Sequence, residues 1–365
     1  MDQKIRVMVV DDSVLFRNFL VQSLGSDSRF EVVGYAANAF DAKKRIPLLK
    51  PDLLTLDIEM PGMSGLEFLK ELLPIHPIPV ILVSSLNIRV FDALAAGAVD
   101  FVHKPDLESN LGKETFLTIL KAKVAVSAKA KVQLPRSLNA SPSAKPLLPR
   151  SASSRTHSTG SEGAKGRRVG ISSIHTERII AIGASTGGTE AILQIMKELP
   201  PTLPGIVITQ HMPPGFTTLY AERLNRLCSM EVREAKHGDK LHPGLALIAP
   251  GGLQMRVVRM GTSYGVSCSK DKKVSGHCPS VDVLFDSVAI HAREKALGVI
   301  LTGMGADGAA GLLRMRKNGA YTIGQDKESC VVYGMPMEAW KIGAVCTQAS
   351  LDSIPHQLIS HLQSL

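Results

Sequence analysis

The sequence has few aromatic residues, few cysteines and no long hydrophobic run, and each shortage excludes a class of protein. Aromatic residues make up 4% of the 365 residues, which favours an α/β core of aliphatic side chains over a β-sandwich. The five cysteines are an odd number without close pairs, so we expect reduced thiols rather than disulfides or a zinc site. The adjacent His277 and Cys278 are interpreted as structural or exposed. Without an apolar run of membrane-spanning length or a signal-peptide pattern, the chain is expected to be cytoplasmic, with no membrane insertion.

The net charge of +9 comes from one segment rather than from a charged domain face. Residues 121–178 hold twelve Lys and Arg against two Asp and Glu, and the rest of the chain is close to neutral. Residues 124–175 are rich in Ser, Ala and Pro and contain no aromatic residue. We interpret 124–175 as a disordered basic linker. The alternative is weak contact with an anionic membrane surface or a nucleic acid.

Alternating strand and helix patterns flank this linker. Residues 1–123 contain five strand–helix units, which predict a parallel, doubly wound sheet of five strands. The pattern resumes over 176–365 and predicts a second doubly wound α/β domain, with a small antiparallel ribbon at 253–270. The strands predicted in this second domain read RIIAIGAS, GIVITQH, LALIAPG, QMRVVRM, LGVILTG and GAYTIGQ.

Acidic, hydroxyl and ammonium groups are predicted at one edge of the first sheet. Asp11 and Asp12 end the first strand, Asp57 the third, Ser84 the fourth and Lys104 the fifth. Ligands bind at the carboxyl ends of parallel strands, and three close carboxylates repel one another unless a cation such as Mg²⁺ neutralises them. Asp57 would then be the nucleophile toward phosphorus, with Ser84 and Lys104 holding the other oxygens. Taken alone, an Asp pair after a strand is usually a helix cap.

Residues 4–120 resemble the receiver domain of two-component response regulators in the motifs VDDS, LDIEMPGMSG, VSS and KP. The resemblance implies a flavodoxin-like fold and phosphotransfer from a histidine kinase to Asp57. It also implies Mg²⁺ held by Asp12, Asp57 and the backbone carbonyl of Glu59, with Asp11 in support.

A turn of small residues, GASTGG, lies between the strand IIAIG and a helical pattern in the second domain. Ser185 lies in this turn, close to a helix N-terminus that favours either a phosphate or an oxyanion. The spacing G-x-S-x-G at 183–187 fits a nucleophile elbow, and the order G-x-G-x-x-G of a dinucleotide loop is absent. The local sequence leaves a phosphate loop, an elbow and a plain tight turn open.

Two more strand ends supply partners for Ser185. His211 follows GIVITQ, and Asp307 lies in the glycine-rich loop after GVILTG. Each alone would be interpreted as a buried histidine or a helix cap. Because adjacent parallel strands lie about 4.8 Å apart, the His211 ring is within reach of the Ser185 hydroxyl. Together the three predict a nucleophile, a base and a carboxylate that orients the base, with the backbone N–H of Met304 as an oxyanion donor.

Residues 176–364 resemble the catalytic domain of the CheB family of chemotaxis methylesterases in the motifs IGASTGG, TQHMPPGFT, IAPGG, PSVDVLF, LTGMGADGAAGL and VYGMP. The resemblance implies that Ser185, His211 and Asp307 form the catalytic triad and that Thr186 and Met304 contribute near the oxyanion. It implies a phosphorylation-activated hydrolase that removes glutamyl methyl esters from chemotaxis receptors, and deamidates specific glutamines, for sensory adaptation. The ester chemistry needs no cofactor.

The resemblance also implies partners and a form of control. It implies the histidine kinase CheA as phosphodonor, methyl-accepting chemotaxis receptors as substrates, and a receiver that covers the active site until it is phosphorylated. We expect a monomer that does not bind nucleic acid. The long linker predicts weaker inhibition in cis, or a tether to receptors or membrane.

Two other function classes are less well supported. A receiver-driven nucleotide binder would need a strand-end acid at the spacing for a ribose contact, and the sequence lacks one. A DNA-binding regulator would need a helix-turn-helix domain, which the strand–helix units of 176–365 do not predict.

Overall fold

The computed structural model describes residues 3–85, 88–105, 109–132 and 177–364. Most of the predicted linker therefore lies outside the described residues. Its first part does not: the helix that begins at Asn110 continues to Ser127, so residues 124–127 are helical rather than linker. The reason is that Val124 extends the buried stripe of Phe116 and Leu120 by one more helical turn. In the described part of the chain, no helix has the length and apolarity needed to cross a bilayer.

The first domain is the expected five-stranded parallel sheet. Its strands are β1 (Ile5–Val10), β2 (Phe30–Ala36), β3 (Leu53–Leu56), β4 (Val80–Ser84) and β5 (Asp100–His103). Its helices are α1 (Val14–Gly25), α2 (Ala39–Leu49), α3 (Gly65–Leu72), α4 (Arg89–Ala95) and α5 (Asn110–Ser127). The strand order β2-β1-β3-β4-β5 confirms the predicted doubly wound, flavodoxin-like fold.

Side-chain caps fix where several of these helices begin. Ser13 accepts a hydrogen bond from the third residue of α1, and Asn38 does the same for α2. Ser64 and Glu67 form a reciprocal capping box at the start of α3. Each cap satisfies backbone N–H groups that have no partner within the helix. The caps therefore fix where the short turns after β1 and β2, and the longer loop 57–64 after β3, lead into helices.

The second domain is built around a seven-stranded parallel sheet. Its strands are β6 (Ile179–Ala184), β7 (Gly205–Gln210), β8 (Glu231–Glu234), β9 (Leu245–Ile248), β12 (Ala296–Ile300), β13 (Tyr321–Gln325) and β14 (Thr347–Ala349). The strands β10 (Gln254–Met260) and β11 (Ser263–Ser269) pair as an antiparallel hairpin, which confirms the predicted ribbon. The helices are α6 (Gly188–Glu198), α7 (Phe216–Leu227), α8 (Val281–His291), α9 (Ala309–Lys317), α10 (Met335–Lys341) and α11 (Ile354–Gln363).

Strand β6 lies in the middle of the sheet order β14-β13-β12-β6-β7-β9-β8. Its side chains alternate between two cores: Ile180 and Ile182 pack with α6, α7 and α11, and Ile179 and Ala181 pack with α8, α9 and α10. The chain builds one side of the sheet from β6 to β9 and then returns to build the other side from β12. The carboxyl ends of β12, β6 and β7 therefore lie side by side at the point where the strand order reverses, which is the usual place for a binding site.

The two domains pack through an aromatic contact that continues the core of the second domain. Phe91 of α4 stacks on Tyr220 of α7 with ring centroids 5.4 Å apart. Phe101 of β5 lies 4.7 Å from the ring of Phe216, at the start of α7. The α4–β5 face of the first domain is thus buried against the helix that follows β7.

Gly65 provides a test of how tightly the first domain is packed around its strand-end loop. A Cβ at Gly65 would lie 2.1 Å from the backbone oxygen of Asp57, whereas a Cβ at Gly25 would meet only a side-chain methyl of Val32 at 3.9 Å. We expect Gly65→Ala to lower the free energy of unfolding by about 1–3 kcal/mol, as overpacking does, and Gly25→Ala to leave it unchanged or raise it. Scanning calorimetry checks this, and equal melting temperatures for the two variants would contradict it.

Candidate active site

The second sheet brings a serine, a histidine and an aspartate together at three neighbouring strand ends. Ser185 follows β6, His211 follows β7, and Asp307 lies in the loop after β12. The Nδ1 atom of His211 lies 3.1 Å from the Ser185 Oγ, and its Nε2 atom lies 2.7 Å from Asp307 Oδ2. All three side chains predicted as one site are thus within a continuous hydrogen-bonded chain.

The Asp307 carboxylate is held at the N-terminus of α8. It accepts hydrogen bonds from the Ser280 hydroxyl at 2.7 Å and from the backbone N–H groups of Val281 at 2.7 Å and Asp282 at 3.1 Å. Burial works to raise the pKa of Asp307, but the hydrogen bond and charge of His211, with the Ser280 and Val281 donors, lower it to about 2. The carboxylate is therefore ionised at neutral pH, so His211 Nε2 donates to it and Nδ1 is left to accept the Ser185 proton.

The turn that carries Ser185 is fixed by two buried side chains. Gln210 Nε2 donates to the Ser185 carbonyl at 3.0 Å, and the Thr302 hydroxyl donates to the Thr186 carbonyl at 3.0 Å. A Cβ at Gly303 would lie 2.7 Å from Ser185 Cβ, so the loop after β12 can pass the serine only because it has glycine there. Gln210, Thr302 and Gly303 were not predicted as site residues, because their roles depend on neighbouring strands.

The predicted oxyanion residues have different environments. The Thr186 hydroxyl donates to Asp100 of the first domain, so the donor that Thr186 has left is its backbone N–H. Among the described residues, neither this N–H nor that of Met304 has a hydrogen-bond acceptor. Thr186 also precedes Gly187, the cap residue of α6, and so lies near the helix N-terminus, where the helix dipole favours negative charge. Both N–H groups are thus available to an anion next to Ser185.

His277 covers one face of the His211 ring. The two ring centroids are 3.6 Å apart and the rings are tilted by only 6°. Burial lowers the pKa of His277 to about 4, and the charge of His211 acts in the same direction. The interpretation of His277 as a structural or exposed residue missed this stacked position beside the candidate base.

A second cluster lies at the strand ends of the first domain. Carboxylate oxygens of Asp11, Asp12 and Asp57 all lie within 4.8 Å of one another. The Lys104 Nζ lies 2.6 Å from Asp57 Oδ2 and 3.0 Å from Asp11 Oδ2. Ser84 ends β4, the strand next to β3 in the sheet. Its hydroxyl is buried and has no hydrogen-bond partner among the described residues. The residues predicted to surround a phosphorylated aspartate are thus all placed at one sheet edge.

This cluster suits a hard divalent cation. Burial raises the pKa of Asp57 and of Asp11, although Lys104 acts in the opposite direction. The single ammonium group of Lys104 therefore does not fully neutralise the negative charge of the carboxylates. A set of carboxylate oxygens of this kind is what Mg²⁺ prefers as ligands. The backbone N–H of Glu59 donates to Asp57 Oδ1 at 3.2 Å, which places the Glu59 backbone beside the cluster.

Arg17 is a residue near this cluster that the sequence did not single out. Its buried guanidinium donates to the backbone carbonyl of Asp11 at 2.7 Å and to that of Asp12 at 3.3 Å. Arg17 thus holds the strand-end turn from which the two carboxylates project.

The first domain contacts the candidate site through Asp100, the first residue of β5. Its Oδ2 accepts from the Thr186 hydroxyl, and its Oδ1 lies 2.6 Å from the Lys123 Nζ of α5. Asp100 and Thr186 are both buried. One carboxylate thus connects the residue after Ser185 to the body of the first domain.

Two family profiles match the chain, one in each domain. The profile described as CheB methylesterase matches residues 180–358, and the one described as response regulator receiver domain matches residues 7–115.

Relatives are similar to this chain over almost its whole length. A protein of Syntrophomonas wolfei named protein-glutamate methylesterase/protein-glutamine glutaminase 2 is 47% identical over 363 residues, which cover 100% of this chain and 99% of that protein. A protein of Escherichia coli O157:H7 named protein-glutamate methylesterase/protein-glutamine glutaminase is 43% identical and covers 99% and 98% of the two chains. Among solved structures, the CheB methylesterase catalytic domain of Thermotoga maritima is 36% identical, with a TM-score of 0.49 over 50% of this chain and 98% of its own.

The geometry predicts that Ser185 reacts with a fluorophosphonate, a reagent that labels activated serines. His211→Ala removes the group that accepts the serine proton, and we expect it to slow labelling by at least about 100-fold. Ser185→Ala abolishes labelling, and His291→Ala, at an exposed histidine in the last turn of α8, leaves the rate unchanged. Mass spectrometry of labelled peptides checks the site. Labelling that persists in Ser185→Ala would contradict the assignment.

Proposed function

The chain belongs to the family of CheB methylesterases with a receiver domain, and we propose that it hydrolyses glutamyl methyl esters on methyl-accepting chemotaxis receptors under control of receiver phosphorylation. The observation that carries the proposal is the hydrogen-bonded chain of Ser185, His211 and Asp307 at the strand ends of the methylesterase domain. The same site would deamidate specific receptor glutamines, because ester and amide hydrolysis pass through the same type of tetrahedral oxyanion. The resulting change in receptor charge would provide sensory adaptation.

In the proposed first step, Ser185 Oγ forms a bond to the ester carbonyl carbon and its proton moves to His211 Nδ1. The Asp307 carboxylate accepts from Nε2 and stabilises the imidazolium that results. General-base help of this kind is worth roughly 10²–10⁴-fold in rate. No metal or organic cofactor is required for these steps.

The oxyanion that forms on the carbonyl oxygen would be stabilised by the backbone N–H groups of Thr186 and Met304, where one donor is worth about 10²–10³-fold. Collapse of this intermediate breaks the bond to the methoxy group, which takes the proton from His211 Nδ1 and leaves as methanol. Water then attacks the acyl-enzyme, with His211 again as base. For a glutamine substrate, ammonia leaves in place of methanol.

We propose that a histidine kinase such as CheA transfers its phosphoryl group to Asp57 of the receiver. Mg²⁺ would be held by Asp11, Asp12, Asp57 and the backbone carbonyl of Glu59, and when bound it supplies positive charge to the carboxylates and phosphoryl oxygens. Ser84 and Lys104 would hold other phosphoryl oxygens, a role supported by the buried, unpartnered Ser84 hydroxyl and by the Lys104 ion pairs.

The receiver would inhibit the unphosphorylated enzyme by covering the Ser185 cleft. The contacts that support this are the Asp100–Thr186 hydrogen bond and the aromatic pairing of Phe101 with Phe216. Phosphorylation of Asp57, which follows β3 of the first sheet, would weaken this packing and release the site. We propose that residues 176–365 form the catalytic unit, as the sequence predicts. Because α5 continues to Ser127, we propose that the linker begins after this residue.

Ser185→Ala should reduce methanol release from methylated receptor membranes to background, because no other group on this path can form the acyl-enzyme. Binding to the same membranes, measured by co-sedimentation, should stay at the wild-type level, since the change removes one oxygen atom. Methanol release by this variant near the wild-type rate would refute the proposed nucleophile.

Asp100→Ala should raise basal methanol release without a phosphodonor, because it removes the hydrogen bond that attaches the receiver to Thr186. A buried, charge-assisted hydrogen bond is worth about 1.5–3 kcal/mol, so we expect an increase of roughly 10- to 150-fold and a smaller further response to a phosphodonor. Asp92→Ala changes an exposed aspartate of α4 and serves as the matched control. Asp57→Ala should keep the basal rate and lose the response to the phosphodonor.

If Asp100→Ala and Asp92→Ala both keep the wild-type basal rate, the Asp100 contact does not restrain the enzyme. That result would leave the hydrolase assignment intact, since it concerns only the receiver.

A further inference from the structure

The most unusual contact around Ser185 is the face-to-face stack of His277 on His211. Their centroid separation of 3.6 Å and tilt of 6° describe nearly full overlap of the rings. Aromatic pairs in proteins prefer offset or edge-to-face arrangements with centroids 4.5–7 Å apart, because the negative faces of two neutral rings repel. Full overlap therefore needs a reason beyond the burial of two rings.

Protonation of His211 supplies that reason. A cation placed over the face of a neutral aromatic ring is attracted by the negative charge of that face. When Ser185 transfers its proton, His211 becomes an imidazolium lying directly over the His277 ring. The stack thus changes from unfavourable to favourable at the step where the tetrahedral intermediate forms.

The environment of His277 keeps its own ring neutral. Burial lowers the pKa of His277 to about 4, and the charges of His211, Lys123 and Lys273 act in the same direction, while Asp307 opposes them. At neutral pH the ring therefore presents an uncharged π face to His211. A protonated ring in the same place would repel the imidazolium.

The loop that carries His277 is firmly held. Val274 and His277 exchange two backbone hydrogen bonds of 3.0 and 2.8 Å across a tight turn. Gln254, which is fully buried, donates to the His277 carbonyl at 3.1 Å and accepts from the Ser280 N–H at 2.8 Å. Since Ser280 also donates to Asp307, one buried amide fixes both the stacked ring and the support of the carboxylate.

We propose that His277 is a positioning residue, whose neutral ring fixes the plane of His211 and stabilises the imidazolium that forms during attack by Ser185. The inference rests on the proposed function only in the identity of Ser185 as nucleophile and His211 as base. It assigns His277 no contact with the substrate and no proton transfer. Its effect should therefore be on kcat rather than on KM.

Two substitutions of similar size separate stacking from simple packing. His277→Phe keeps a neutral aromatic face and has no ring nitrogen, whereas His277→Leu keeps apolar volume and has no π face. A desolvated cation–π contact is worth about 2 kcal/mol, and an exposed one less, which corresponds to a rate loss of roughly 5- to 30-fold. We expect that loss in kcat for His277→Leu with KM unchanged, and a rate within about threefold of the wild type for His277→Phe.

Fluorophosphonate labelling of Ser185 in the full-length chain gives a readout that does not depend on the natural substrate. Phosphonylation also moves the Ser185 proton to His211 as fluoride leaves, so the same order of rates is expected: wild type, then Phe, then Leu. His291→Leu is the control for replacing an exposed histidine by leucine. Circular dichroism and melting temperature verify that each variant is folded.

The outcomes are distinct. Labelling of His277→Leu at the wild-type rate, or equal losses in the Phe and Leu variants, would overturn the stacking role. Normal labelling of the wild type without methanol release from receptor membranes would instead refute the proposed substrate and leave the test of His277 valid.

Discussion

Four hydrogen bonds converge on the carboxylate of Asp307, and the arrangement of the candidate site follows from them. The donors are His211, the Ser280 hydroxyl and two backbone N–H groups at the start of α8. A buried carboxylate is unfavourable unless it is paired, so the loop after β12 must dock onto α8, and α8 in turn fixes the loop that carries His277. The direction of the His211 ring is then set, because its Nε2 must face Asp307 and its Nδ1 faces Ser185.

The fold could be predicted from the sequence wherever strands are buried on both faces. Strand β6 is buried at every position and appears in the sequence as a continuous apolar run. The edge strands β8 and β14 were not predicted, because Glu231–Glu234 is charged and mostly accessible and Thr347–Ala349 is only three residues long. An edge strand forms because it hydrogen-bonds to the neighbouring strand, even where its own sequence lacks a strand pattern.

The candidate site divides along the same line. Ser185, His211 and Asp307 could be inferred to lie together because the carboxyl ends of neighbouring parallel strands meet. His277 could not, since it reaches His211 from a hairpin turn whose position depends on Gln254. Asp100 could not be predicted as part of the site either, because its partner Thr186 belongs to another domain. The periodicity of a sequence indicates helices and strands but not contacts between domains.

The Asp100–Thr186 bond has a consequence for where in a cell such an enzyme would be active. Under the proposed occlusion, the receiver and a receptor helix would compete for the same surface above Ser185. Each would therefore weaken the binding of the other by the same factor. Under the same proposal, a dense array of methylated receptors would favour the open form by mass action, as phosphorylation would by weakening the contact. The output of the enzyme would report the product of two signals, local substrate density and kinase activity, rather than kinase activity alone.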